Sequence, residues 1–153
     1  MRNYGSAISA LVWLLVITVC ACDAQPKVTI ITRDGRQVGF HVDVADTPGK
    51  REIGLMYRTD LADDRGMIFL FTTESQQAFW MKNTPRSLDM IFIGRDRRIV
   101  GIVEQAKPFS LDPRSVEGKS QFVLEINGGL SKRHGFQAGD AVRFDGINPV
   151  VSQ

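Results

Sequence analysis

Five polar or aromatic side chains stand out against apolar surroundings. Trp80, Lys82 and Asn83 lie in Phe79-Trp80-Met81-Lys82-Asn83-Thr84, Asp89 in Leu88-Asp89-Met90-Ile91-Phe92-Ile93, and Glu125 in Phe122-Val123-Leu124-Glu125-Ile126. In an extended chain alternate side chains share a face. Trp80 and Lys82 then stand together, an apolar floor beside a charged rim, as in a ligand groove. The plainer alternative packs Trp80 in the core while Lys82 reaches to water. Asp89 shares a face with Ile91 and Ile93, and Leu88, Met90 and Phe92 fill the other. A carboxylate in such surroundings needs a partner. The backbone N–H groups of the Asn83-Thr84-Pro85 turn, Lys82 and a ligand are the candidates. Glu125 repeats the pattern between Leu124 and Ile126. If Lys82, Asp89 and Glu125 converge near one rim, with Asn83 beside them, the two carboxyl groups could serve as acid and base in hydrolysis of a glycosidic bond. Asp89 and Glu125 are therefore weak catalytic candidates. Trp80, Lys82, Asn83, Asp89 and Glu125 form the expected ligand-binding set.

Other chemistries have less support. Met56, Met67, Met81 and Met90, with His41 and His134, are donor types that suit copper(I). Each methionine falls at an apolar position where it fills gaps in a core, and no Met-x-x-Met or His-x-His cluster occurs, so no metal site is expected. The nucleophile elbow, the zinc-protease helix motif and the phosphate loop are all absent, and no cofactor is expected. Gly128-Gly129 ahead of a short helix offers free N–H groups, although ordinary turn chemistry accounts for the pair.

The elements that must position these residues are mostly strands. Val28 to Thr32 is a β-branched run, Asp34-Gly35 is a hairpin signal, and Val38 to Val44 alternates apolar and polar residues. Thr47-Pro48 opens a helix of about ten residues ending near Arg58. Strand-like runs follow at Met67–Phe71, Gln77–Asn83, Leu88–Gly94 and Arg98–Gln105, the last two flanking a hairpin turn at Gly94 to Arg97. A loop spans 107–119. Phe122 to Ile126 is a strand, Leu130 to His134 a short helix stopped by Gly135, and Ala141 to Phe144 a last strand. The expectation is a mostly β (α+β) fold: a single compact barrel-like domain of about eight short strands with two short helices, favoured over a βαβ sheet.

The ends and composition set the context. Arg2, the apolar run Leu11 to Val19 and the small residues after it read as a secretory signal over residues 1–24. Val19-Cys20-Ala21-Cys22 resembles a bacterial lipobox, in which Cys22 would be the lipid attachment site; cleavage after Ala24 and retention as an anchor are the alternatives. Each places the domain in the periplasm, soluble or lipid-anchored, and touches a membrane only through the signal or a lipid. The chain has two cysteines, Cys20 and Cys22. A domain over residues 25–147, with a tail at 148–153, therefore has neither a disulfide nor a thiol nucleophile, and its stability must come from an apolar core. The net charge of +2 from 19 basic and 17 acidic residues is too balanced to argue for nucleic acid.

Gly54-Leu55-Met56, Gly66-Met67-Ile68-Phe69, Phe79 to Thr84 and Leu88 to Ile93, with Val123-Leu124-Glu125 and Gly139-Asp140-Ala141-Val142 in support, together resemble the domain of unknown function 192 family (DUF192). The resemblance covers most of the chain after residue 24. It implies a small β-rich domain, often exported, and it carries no substrate or catalytic residue. The one departure is Ile126-Asn127-Gly128-Gly129, where many relatives have a proline-containing turn. The expected function is a non-enzymatic envelope module that binds a small ligand, a glycan or an envelope protein. The alternative is a small envelope hydrolase acting on a saccharide or cell-wall component.

Overall fold

The computed structural model describes residues 25–149; the expected signal with Cys20 and Cys22 lies outside them, as do residues 150–153. The elements run β1 (Lys27–Ile31), β2 (Gln37–Ala45), α1 (Pro48–Ile53), β3 (Arg65–Ser75), β4 (Leu88–Ile93), β5 (Ile99–Ala106), β6 (Ser120–Asn127), α2 (Leu130–His134) and β7 (Ala141–Asp145). All seven strands join one sheet in the order β5-β4-β6-β3-β2-β1-β7. The sheet curls into a half-barrel. Its two edge strands meet at one end, where Arg98 bridges Ala141. There Ile99 N–H donates to the Asp140 carbonyl at 3.0 Å and Val142 N–H to the Arg97 carbonyl at 2.8 Å. Among the described residues, no helix is long and apolar enough to cross a membrane.

Two apolar clusters lie on opposite faces of the sheet. The inner face gathers Phe40, Ile68, Ile91, Ile93, Phe122, Leu124 and Ile126, with Leu130 and Phe136 from α2 and its exit. The outer face gathers Leu55, Met67, Phe69, Met81, Leu88, Met90, Phe92 and Val123. Strands β4 and β6 are buried at every position. That double burial explains why their sequences run apolar with few interruptions. Each fully buried large side chain contributes about 1.5–3 kcal/mol, so a domain without cysteine needs no disulfide.

The mostly β, barrel-like architecture and the two helices match the sequence reading, with three differences. Gln77–Asn83 is not a strand. It makes one isolated bridge, Phe79 to Arg114, and then turns at Lys82-Asn83, where Asn83 adopts φ 53°. The segment crosses the outer face, and its apolar residues cover the second cluster instead of joining the ladder. Among the described residues seven strands result, not eight. Helix α1 keeps its Thr47 cap, with Lys50 N–H donating to Thr47 Oγ1 at 3.3 Å, but spans six residues instead of ten. Gly54 at φ 48° turns the chain out of the helix, and Leu55 drops into the outer cluster. Finally, β2 and β3 are parallel, with α1 in their connection, so one β-α-β unit sits within an otherwise antiparallel sheet.

Gly66 fixes how closely β3 and β6 approach. A Cβ there would stand 2.5 Å from the Glu125 carbonyl oxygen and 3.1 Å from Ile126 Cγ2, and a ladder carbonyl cannot move aside. Gly66→Ala is expected to destabilise the domain by about 1–3 kcal/mol, measured by urea denaturation; an unchanged midpoint would mean that the two strands are not locked at this point.

Candidate functional site

Asp89 is wholly buried on the inner face. The β4–β5 pairing slips by one residue between Met90 and Leu88. Such a bulge leaves an N–H outside the ladder. Asp89 Oδ1 accepts this N–H, from Gln105, at 2.8 Å. The same oxygen accepts Gly129 N–H at 2.9 Å, and Oδ2 accepts Ser131 N–H at 2.7 Å. The carboxylate thus holds the bulge of β5 and the start of α2 on the end of β4. Its partners are backbone groups, as one reading anticipated, but not those of the Asn83-Thr84-Pro85 turn, and Lys82 is not among them. The anion held by the Gly128-Gly129 turn is the chain's own Asp89.

Glu125 stands on the outer face. Register pairs Asp89 with Ile126 and Met90 with Glu125. Adjacent positions point to opposite sides of a sheet, so Asp89 and Glu125 are separated by the sheet itself. The expected convergence of the two carboxyl groups does not occur. A pair acting across one glycosidic bond must share a cavity, and these two do not. Glu125 is flanked in register by Met67 on β3 and Met90 on β4, both buried. No described residue hydrogen-bonds its carboxyl, and burial among these apolar neighbours pushes its pKa from 4.5 up to about 8. At neutral pH it is a carboxylic acid with a proton to donate.

Glu125 opens into a cavity of about 220 Å³ on the outer face, which Trp80 and Lys82 also line. Three of the five expected site residues therefore meet. The Lys82 ammonium stands 5.2 Å from the centre of the Trp80 ring, and Trp80 is 49% exposed. Neither is core, although the segment that carries them is a turn and not the expected strand. Asn83 is turned away: its Nδ2 donates to Tyr57 Oη at 2.7 Å, and its carbonyl accepts Tyr57 N–H at 2.8 Å. It holds the turn against the residues after α1. The cavity wall includes Phe69, Phe71 and Phe79, whose rings meet edge to face, and Thr84.

Arg51 and Glu52 on α1 also line the cavity, and sequence reasoning missed them. Both read as the solvated face of a helix, and nothing in the local pattern sets them apart. Arg51 donates to the Asp46 and Leu70 carbonyls at 2.9 and 3.0 Å and lies over the Phe71 ring at 5.3 Å. Among the described residues, no three His, Cys, Asp or Glu side chains are grouped to hold a metal ion. His134 stacks on Phe136 with ring centres 5.4 Å apart, and Met67, Met81 and Met90 are core residues.

The two carboxyl groups respond differently to replacement. Asp89→Asn sets an amide donor against backbone donors and removes the charge that strengthens the remaining bonds. It is expected to cost about 3 kcal/mol in urea denaturation; a loss below 1 kcal/mol would remove Asp89 from this structural role. For Glu125, the folded protein keeps between pH 4.5 and about pH 8 a proton that the unfolded chain has released. Stability then falls as pH rises through that window, by at most about 1.4 kcal/mol per pH unit, and is level above it. Glu125→Gln removes this slope. The variant is expected to match the parent near pH 4.5 and to exceed it at pH 8 by several kcal/mol, on the order of the slope times the window. Parallel stability–pH curves would show that Glu125 is ionised in the fold.

No curated protein matches the chain. Two crystal structures are similar to it. A protein of unknown function from Novosphingobium aromaticivorans is 42% identical, with a TM-score of 0.74 over 76% of this chain and 83% of that one. A protein from Sinorhizobium meliloti described as a candidate transcription regulator is 40% identical, with a TM-score of 0.77 over 81% of this chain and 96% of that one. The family model described as "Uncharacterized ACR" matches residues 29–144, which span β2 to β6 whole and most of β1 and β7, and the chain belongs to that family, DUF192.

Proposed function

We propose that the domain is an exported, non-enzymatic envelope module that binds a small ligand in the cavity formed by Trp80, Lys82 and Glu125. The observation that carries this reading is an exposed tryptophan and a lysine at the mouth of a cavity with the buried carboxyl of Glu125 in its wall, where burial favours the neutral acid. The wall mixes aromatic rings with polar side chains, and placed polar groups are what fix a ligand's orientation in a site. The neutral acid donates one hydrogen bond inside, the ammonium offers a charge at the rim, and the indole supplies flat apolar area. Export rests on the apolar run after Arg2, and tethering on Cys22 in its lipobox-like setting.

Hydrolysis through Asp89 and Glu125 has no support from the geometry, because the carboxyl groups share no cavity and Asp89 is saturated by backbone donors. The label of the Sinorhizobium meliloti relative raises DNA binding for this chain. A net charge of +2 with dispersed basic residues offers little of the phosphate-directed attraction that such binding rests on.

A thermal-shift panel of saccharides, cell-wall fragments, carboxylates, amphiphiles and short peptides tests the reading. A true ligand present at a hundred times its Kd adds about 2.7 kcal/mol to stability, which is a shift of several degrees. Trp80→Ala, at a half-exposed position, is expected to fold and to lose that shift. A panel without a single hit, or hits that survive Trp80→Ala undiminished, would overturn the assignment.

A further inference from the structure

The cavity that holds Glu125 does not end at Trp80. A second, shallower hollow of about 430 Å³ adjoins it and shares Ala78, Phe79 and Trp80 as a common wall. Its remaining lining is Leu111 and Pro113, both exposed, with Leu111 at 65%. Alone, the first cavity at about 220 Å³ is below the usual range for a ligand site, roughly 300–1,000 Å³; the two together fall within it. The two halves differ in character. The first is lined by two cations, Arg51 and Lys82, and neither forms an ion pair with a described carboxylate. Arg51 is held by carbonyls, with the Asp46 carboxylate near enough to feel its charge but bridged to Lys50, and Lys82 lies on the Trp80 ring. Against them stands one exposed carboxylate, Glu52. The second half carries only apolar side chains.

We infer that the natural ligand is an anionic amphiphile, with a carboxylate or similar acidic head between Lys82 and Arg51 and an apolar chain laid over Trp80 onto Leu111 and Pro113. This rests on the ligand-binding reading above and narrows it to one chemical class. The state of Glu125 fits the arrangement. An ionised carboxylate in the wall would repel an acidic head, whereas the neutral acid held there by burial does not, and it can donate a hydrogen bond to the head. The exposed Leu111 and the half-exposed Trp80 then have a reason to be apolar at the surface.

Octanoate, octanol and acetate separate the two halves of the claim. The first two differ in the charged head, and the first and last in the apolar chain. Trp13 and Trp80 are the two tryptophans of the chain, so a Trp13→Phe background makes fluorescence report on Trp80 alone. Octanoate is expected to shift the emission saturably and to bind about tenfold or more tightly than octanol, the size of effect expected from one charge-assisted contact. Acetate should give no saturable change. Lys82→Gln should bring octanoate down to the octanol level, and Leu111→Ser should weaken both. Equal binding of octanoate and octanol would overturn the acidic head, and a saturable change with acetate would overturn the apolar chain. If octanoate fails while another class of compound in the thermal-shift panel binds in a Trp80-dependent way, the amphiphile is wrong and the binding module stands. Anionic vesicles added beside free octanoate distinguish a membrane lipid from a soluble amphiphile: binding of both points to the lipid, and binding of octanoate alone to the free molecule. Binding of vesicles with no response to octanoate overturns the cavity as the site.

Discussion

One buried carboxylate holds the ends of three elements. Asp89 sits at the start of β4 and accepts N–H groups from the bulge of β5 and from both sides of the turn into α2. Each of those donors lacks a ladder or helix partner: the bulge leaves Gln105 outside the β4–β5 pairing, and the first N–H groups of any helix have no acceptor of their own. A water could satisfy them at an open end, but α2 places Leu130 and Phe136 in the inner core, and the site is closed. The carboxylate supplies two oxygens where three donors converge. That allows α2 to lie on the inner cluster directly after β6 without leaving these three backbone N–H groups unpaired.

The second constraint is that the middle of the sheet has no solvent face. Strands β4 and β6 are buried throughout, because the curl encloses one face and the crossing segments around residues 76–87 and 107–119 cover the other. Any polar group on these strands is buried whichever way it points. Asp89 and Glu125 are two outcomes of the same placement. On the inner face backbone donors converge on the carboxyl group and satisfy both of its oxygens. On the outer face no donors converge, and the cheaper state is the neutral acid.

The chain made the sheet more legible than the site. β-branched runs and turn residues placed seven strands and both helices, because alternation and caps are local signals. The segment from Gln77 to Asn83 misled for a physical reason: its alternation of apolar and polar residues is real, yet it packs on a sheet without pairing in one. Helix α1 looked longer than it is because Met56 and Tyr57 keep a helical spacing past Gly54, where φ turns positive. Trp80 and Lys82 were found by their alternation and Glu125 by its apolar flanks. Their meeting, and the exclusion of Asp89, depend on which face each strand presents, and that parity is set by the register between strands distant in sequence. Arg51 and Glu52 carried no signal, since a cavity wall and a solvated helix face have the same composition.

The contrast between the two carboxyl groups also bears on whether the outer cavity is architecture or site. A group kept for architecture is expected to have its polar atoms satisfied within the fold, and Asp89 is. Glu125 differs: no described residue hydrogen-bonds its carboxyl, which opens into the cavity instead, and a glutamine or a methionine would fill the same volume between Met67 and Met90 without the cost of a buried ionisable group. Stability alone gives no reason for an acid at this position. A partner that enters the cavity from outside does. The same holds for the rim, where Lys82 lies on the Trp80 ring and forms no ion pair with a described carboxylate. The carboxyl of Glu125, the cations Arg51 and Lys82 and the uncovered indole of Trp80 all line one cavity. Packing accounts for most of the apolar residues around them, and what it leaves over is the outline of a ligand.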